Sequence, residues 1–427
     1  MLQTLKNAWK VKEVRDRLIF TFLMLIVYRL GNVIPVPFMD AKVVQAHMSG
    51  QDAGLLSMLN AFSGGSLSNM SIFALSIYPY ITASIIIQLL TIAIPRLEEI
   101  AKDGEEGKKK IGEYTKIMGV VLGFVQAYAM VNVLFSDAVQ IAKGNALSKI
   151  IMLLTLVAGS MFLVWLGEII TTKGVGNGIS IMIFFGIISG APRAVQTMIA
   201  QKQGGMVAWW AFVILVLVSI AILVIVIEIN QGERRIPVQY AKRVVGRKMY
   251  GGQSTHIPVK VNMSGVMPVI FASSILQLPN TIISLFGAKA PKWLEYLFSM
   301  QTISGLILYC LINLVLIIIF AYFYSAIQFN TVEYAKNLQQ YGGFIPGIRP
   351  GRPTGEYLQN ISGKITLIGA LILAVVATAP FIINYALKLR MIFAGTSLII
   401  VVGVILETIK QIESMLTMRH YKGFLNK

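Results

Sequence analysis

Apolar residues in this chain come in long unbroken runs, not in the period-two alternation of half-buried strands or the one-sided stripe of surface helices. Runs near 18–36, 72–94, 117–135, 150–170, 179–200, 207–229, 266–286, 303–327, 365–387 and 392–409 approach or exceed the length at which a helix crosses ~30 Å of hydrocarbon, about 20 residues. They predict ten membrane spans. Polar segments rich in glycine and proline separate the runs, and two of these segments are long, 230–262 and 328–364. The first run follows a basic stretch (Lys6, Lys10, Lys12, Arg15, Arg17) with no small-residue cleavage site behind it. It is therefore predicted to be a true span and not a cleavable signal.

The second and seventh runs carry the same pattern. Pro79 to Leu89 and Pro268 to Leu278 both read Pro-x-Ile-x-Ala-Ser-x-Ile-x-Gln-Leu, at an offset of 189. Proline, serine and glutamine are not generic fillers of membrane helices, so the match is more than shared hydrophobicity. A weaker pair aligns Gly178, Ser180, Ile183 and Gly186 with Gly395, Ser397, Ile400 and Gly403 at an offset of 217. Two related halves are predicted, 1–200 (spans one to five) and 201–427 (spans six to ten).

Composition agrees with a membrane solvent: 56% of residues are hydrophobic, 13% are charged and the mean hydropathy is +0.71. Placing the N-terminus in the cytoplasm puts 27 of the 37 lysines and arginines on that side, as positive-inside retention requires. The C-terminus is then cytoplasmic too. Spans two and seven lie five apart and cross in opposite directions, so the repeat is inverted. Such repeats place a pseudo-two-fold axis in the membrane plane, with functional features where the halves meet. The fold class expected is an all-α polytopic membrane protein of two five-helix halves.

Residues 54–61 are apolar but too short to span, and Phe62-Ser63-Gly64-Gly65-Ser66 ends them abruptly. Two readings stand side by side: a re-entrant helix buried in protein, or a surface helix lying in the interface.

Candidate chemistry is sparse. The single cysteine, Cys310, forms no internal disulfide, and His47, His256 and His420 have no metal-ligand spacing. Neither metal nor cofactor is expected. Glu168, Glu228 and Glu407, the acidic residues inside apolar runs, fall near cytoplasmic ends, where snorkelling explains them. No phosphate loop and no nucleophile–base pair is present, so the chain is not expected to be an enzyme and any energy source is external. What the repeats do place at equal depth is isoleucine: Ile81 with Ile270 and Ile183 with Ile400, joined at helical spacing by Ile85 and Ile187. Ordinary packing explains any one of them. Equivalence across an inverted repeat favours a ring, a hydrophobic constriction that closes to ions by dewetting yet makes no directional bonds.

The two long cytoplasmic loops are basic, with Arg243, Arg247 and Lys248 in the first and Arg349 at the tip of a Gly/Pro-rich turn (Gly342 to Gly351) in the second. Retention explains the sign of these charges but not the length of the loops. Protrusions of this kind suit an acidic protein or ribosomal RNA phosphate, while anionic lipids would attract the same residues nearer the bilayer.

Tyr28-Arg29-Leu30-Gly31 with Ile34-Pro35-Val36-Pro37, the Pro79 to Leu90 block, Gly176-Asn177-Gly178-Ile179-Ser180, Arg235 to Tyr240 and Gly343 to Gly351, in this order, resemble the SecY family of bacterial protein-conducting channel subunits. The resemblance spans nearly the whole chain. It implies a pore ring at Ile81, Ile85, Ile183, Ile187, Ile270 and Ile400, and a plug containing Ser57, Met58, Leu59, Asn60, Ala61, Phe62, Ser63, Gly64 and Gly65 within residues 54–68. It also implies a lateral gate between spans two and seven, with Gln88, Asn262 and Leu278 at it, the last where relatives may carry Phe. Signal sequences and precursor polypeptides would be the cargo, the SecA motor or a translating ribosome would dock on the basic loops, and SecE and SecG would be accessory subunits in the cytoplasmic membrane. A secondary transporter with inverted repeats is the alternative, disfavoured by the lack of mid-membrane charge; an intramembrane enzyme lacks a nucleophile, base or metal set.

Overall fold

The computed structural model describes residues 6, 8–49, 60, 63–139, 146–203, 209–240, 243–245, 248–250, 254–286, 303–386 and 395–425. Helix α1 (Lys12–Gly31) and a short α2 (Ala41–Ser49) lead to α3 (Tyr78–Ala93), α4 (Pro95–Lys102), α5 (Gly104–Ala129), α6 (Ala146–Lys173), α7 (Gly178–Gln203) and α8 (Trp209–Gln231). After four strands between residues 233 and 260 come α9 (Met267–Phe286), α10 (Ile303–Gln328), α11 (Thr331–Gln340), α12 (Arg352–Ala386) and α13 (Gly395–Leu425).

Helices occupy each of the ten apolar segments. Among the described residues six are long and apolar enough to cross a membrane, and a seventh if α3 and α4, which meet at 103°, form one bent span. The bend falls at Pro95, whose ring cannot continue the helix. The two apolar stretches Gly178–Pro192 and Met267–Leu276 are shorter. Helix α8 is the most apolar and faces outward with Val213, Val216, Leu217, Ile220 and Val224, as a lipid-facing helix must.

The second predicted span starts later than its hydropathy suggests. Residues 72–77 are largely buried turns, and the helix begins at Tyr78 with Pro79 in its first turn. Positive φ at Met70 (44°) and Ser76 (54°) breaks the helical path. An antiparallel bridge, Pro35 to Ser71, ties the segment back to the end of α1 through Val36 N–H to Met70 O (2.8 Å) and Ile72 N–H to Ile34 O (2.9 Å). Backbone this irregular is tolerated at membrane depth when other protein surrounds it, and Ser63, Ser66, Leu67, Met70, Ser71 and Phe73 are all buried.

The long basic loop is also not irregular. Strand β1 (Glu233–Tyr240) pairs antiparallel with β4 (Ser254–Lys260) and with β5 (Gly343–Phe344), which comes from the second long loop. A hairpin of β2 (Arg243–Val245) and β3 (Lys248–Tyr250) lies between them. Ile236 and Val238 face inward while Arg235, Pro237 and Gln239 face out, the period-two alternation of a half-buried strand. Their core includes Val259, Phe329, Leu338, Ile345 and Leu358, so the two loops make one small folded body. The all-helical expectation therefore holds for the apolar segments and not for these loops.

Candidate functional site

The isoleucines come together. Ile81 and Ile85 on α3, Ile183 and Ile187 on α7, Ile270 on α9 and Ile400 on α13 belong to one apolar cluster, two helices from each half of the chain. Ile85 and Ile400 are each 2% exposed, while Ile81 is only partly buried. The cluster is large and membership alone does not single these six out. The two repeat-equivalent pairs, Ile81 with Ile270 and Ile183 with Ile400, are all part of this apolar junction of the two halves. Buried polar side chains among the described residues are Ser, Thr, Asn and Gln, with no ion to hold a polar solute at that depth.

The residues that follow the short apolar segment sit directly against this junction. Gly64 has φ +66°, and a Cβ there would meet Ser189 Oγ at 2.8 Å and the Gly186 Cα at 3.1 Å. Gly186 lies one residue from Ile187 on α7. The Tyr28 hydroxyl donates to Ser63 O (3.2 Å) and Arg29 Nη1 to Gly64 O (3.2 Å). The Ser66 hydroxyl reaches Asn32 Oδ1 (2.7 Å) and Ser63 O (2.6 Å), and Asn60 Oδ1 accepts from the Ser68 N–H (2.9 Å). Motif residues Tyr28 and Arg29 thus anchor the glycine turn. Of the expected plug residues, Asn60, Ser63, Gly64 and Gly65 are described; Ser57, Met58, Leu59, Ala61 and Phe62 lie outside the described residues.

Gln88 and Asn262 are not paired with each other. Gln88 Oε1 accepts from the Tyr324 hydroxyl on α10, and its Nε2 donates to Ser84 Oγ (3.2 Å). Asn262 Nδ2 donates to Asn230 Oδ1 and to Gly265 O, both at 3.0 Å, tying the end of α8 to the start of α9. Leu278 lies on α9, whose second part is described as backbone. Helices α3 and α9 touch, joined by the Tyr78 hydroxyl donating to Ser274 O at 2.6 Å. Sequence reading missed both tyrosines, because their partners are 196 and 236 residues away.

Glu168, near the end of α6, is partly exposed and has an ion-pair partner. Its carboxylate meets Lys116 Nζ at 2.8 Å, linking α5 to α6. On the basic body, Arg349 is exposed and its carbonyl accepts from Thr354 Oγ1 (2.8 Å). Positive φ at Gly342, Gly347 and Gly351 holds that turn. Arg243 and Lys248 lie on the β2–β3 hairpin, and Arg247 falls outside the described residues.

Comparison with known proteins is consistent with this geometry. The family model SecY matches residues 71–409. "Protein translocase subunit SecY" of Thermotoga maritima is 43% identical over 100% of this chain and 98% of its own length. The protein of the same description from Bacillus subtilis is 44% identical over the whole of both chains. Among solved structures, "The structure of a protein conducting channel" aligns with a TM-score of 0.68 and 18% identity, covering 94% of this chain and 92% of that one. "Sec61 in the Canine ribosome-channel complex from the endoplasmic reticulum" aligns at a TM-score of 0.59 and 17% identity, with the same two coverages. The likeness of fold extends to both of these, and by the full-length sequence match the chain belongs to the SecY family.

Proposed function

We propose that the chain is a passive protein-conducting channel subunit, moving unfolded secretory polypeptides across the cytoplasmic membrane and releasing membrane-protein helices sideways into the lipid. The observation that supports this is that repeat-equivalent isoleucines from both halves belong to one apolar cluster, with Gly64 packed against Gly186 and Ser189 of α7. In this reading Ile81, Ile85, Ile183, Ile187, Ile270 and Ile400 form the pore ring, and residues 54–68 form the plug. Ten spans in two inverted halves, 1–200 and 201–427, surround the pore, with both termini in the cytoplasm.

A seal of aliphatic side chains suits a polymer of arbitrary sequence, because it has no bond to match and closes again by dewetting. A signal sequence would open the seam between α3 and α9, near Gln88, Asn262 and Leu278, by binding the open state more tightly than the closed one. The work comes from outside. In this reading the basic residues Arg243, Arg247, Lys248 and Arg349 of the two long loops would receive a SecA motor or a translating ribosome by charge. SecE and SecG would complete the complex, and anionic lipids would meet basic residues closer to the bilayer. The test is replacement: bacteria depleted of their own SecY should resume exporting a secretory precursor when supplied with this chain. Accumulation of unprocessed precursor despite normal membrane levels of the chain would contradict the channel reading.

A further inference from the structure

Among the described residues, the Tyr78 and Tyr324 hydroxyls each make a hydrogen bond between the halves 1–200 and 201–427, and each bond has one end on α3. Near the start of α3, Tyr78 donates to the Ser274 carbonyl of α9 at 2.6 Å. Ten residues on, about 15 Å along the helix, Gln88 accepts from Tyr324 of α10. Around these bonds Ile85, Ile270, Phe271 and Phe320 belong to one apolar cluster, and Phe271 sits edge-on to Tyr324 with ring centres 5.2 Å apart. Apolar side chains resist separation in water, but against lipid tails they lose little when a helix moves away. Directional bonds are therefore the part of this seam that lipid cannot replace.

The arrangement is one-sided. At the repeat offset of 189 the counterpart of Tyr78 is Met267, which has no hydroxyl to donate. The donor at the head of α3 is therefore not something the repeat requires of both copies.

We infer that Tyr78 and Tyr324 are positioning residues that latch α3 shut against the second half, and so set how strong a signal sequence must be to part the seam. The inference rests on the channel reading above. Each hydroxyl-to-acceptor bond in a membrane biases the closed state by about three- to fifteen-fold. Removing one lowers the differential binding that a signal must supply. The two bonds lie further apart than the range over which substitutions couple, so their effects multiply.

The experiment supplies the chain to SecY-depleted cells and follows two precursors, one with a strong signal and one whose apolar core is shortened. Tyr78→Phe and Tyr324→Phe each remove a single oxygen and keep the ring. Export of the weak precursor relative to the strong one is expected to rise several-fold in each, and by the product of the two in the double variant. Tyr322→Phe is the control, since that hydroxyl donates to Gly363 O (3.0 Å) within the second half, and it should leave the ratio unchanged. An unchanged ratio in both variants, or an equal rise in the control, overturns the latch while the channel stands. If the unaltered chain exports neither precursor, the channel reading itself fails. The two tyrosines are scored independently, so poor accumulation of one variant leaves the other to decide.

Discussion

Two neighbouring regions are held shut by different means. The isoleucine junction rests mainly on aliphatic and aromatic packing, with two tyrosine hydrogen bonds at its α3 seam. The segment 63–77 beside it is equally buried but stitched by directional bonds: Ser66 to Asn32, Tyr28 to Ser63, Arg29 to Gly64, and a backbone bridge to residues 34–36. Dispersion contacts are individually weak and re-form around any shape, whereas a buried hydrogen bond once broken leaves both partners unsatisfied. The junction is thus built to yield gradually, and the segment to hold or let go as a unit.

Charge inserted into the junction should do the most damage. Ile400→Asp puts a carboxylate without a partner at a site 2% exposed, a cost of several kcal/mol. Ion leakage from proteoliposomes is expected to rise well above that of the unaltered chain; equal tightness would show that Ile400 is not part of a dry seal. Next comes Gly64→Ala, which strains a backbone at φ +66° and drives a methyl group into Gly186 and Ser189. About 1–3 kcal/mol of local stability should be lost, read as faster hydrogen exchange at the Ile72 amide; unchanged exchange would mean that the segment does not move as one body. Ser66→Ala removes the hydroxyl bonded to Asn32 Oδ1 and leaves that acceptor buried. A loss of about 1–2 kcal/mol at the same amide is expected, and no loss would make the stitching incidental. Smallest is Ile400→Val, one methylene at about 0.5–1.5 kcal/mol, with ion tightness retained. A leak there as large as that of the aspartate variant would mean that the seal depends on exact shape, contrary to a soft girdle.

Much of this was legible in the sequence, and the omissions have physical reasons. Long apolar runs marked the helices because a lipid-crossing segment must satisfy its backbone internally and so announces itself by length. Two repeats with different offsets pointed to the isoleucines, and the six lie in or against one apolar cluster. Hydropathy could not show that residues 72–77 turn before α3 begins, since burial in protein and burial in lipid select the same apolar side chains. The sheet was hidden because Arg234, Arg235 and the other basic residues mask the alternation of Ile236 and Val238. Tyr78 and Tyr324 looked like ordinary helix residues, and only folding brings their acceptors near. Family resemblance grouped Gln88 with Asn262, yet the chain gives each a separate set of partners.

The central claim is that a polypeptide passes through the isoleucine junction. A photoreactive residue in place of Ile400 should crosslink to a secretory precursor stalled partway across the membrane, with outward-facing Ile405 of the same helix as the control. Strong adducts at Ile400 and at its repeat partner Ile183, and none at Ile405, are the expected result. Labelling of lipid or neighbouring helices alone at Ile400, while the precursor still crosses, would contradict it.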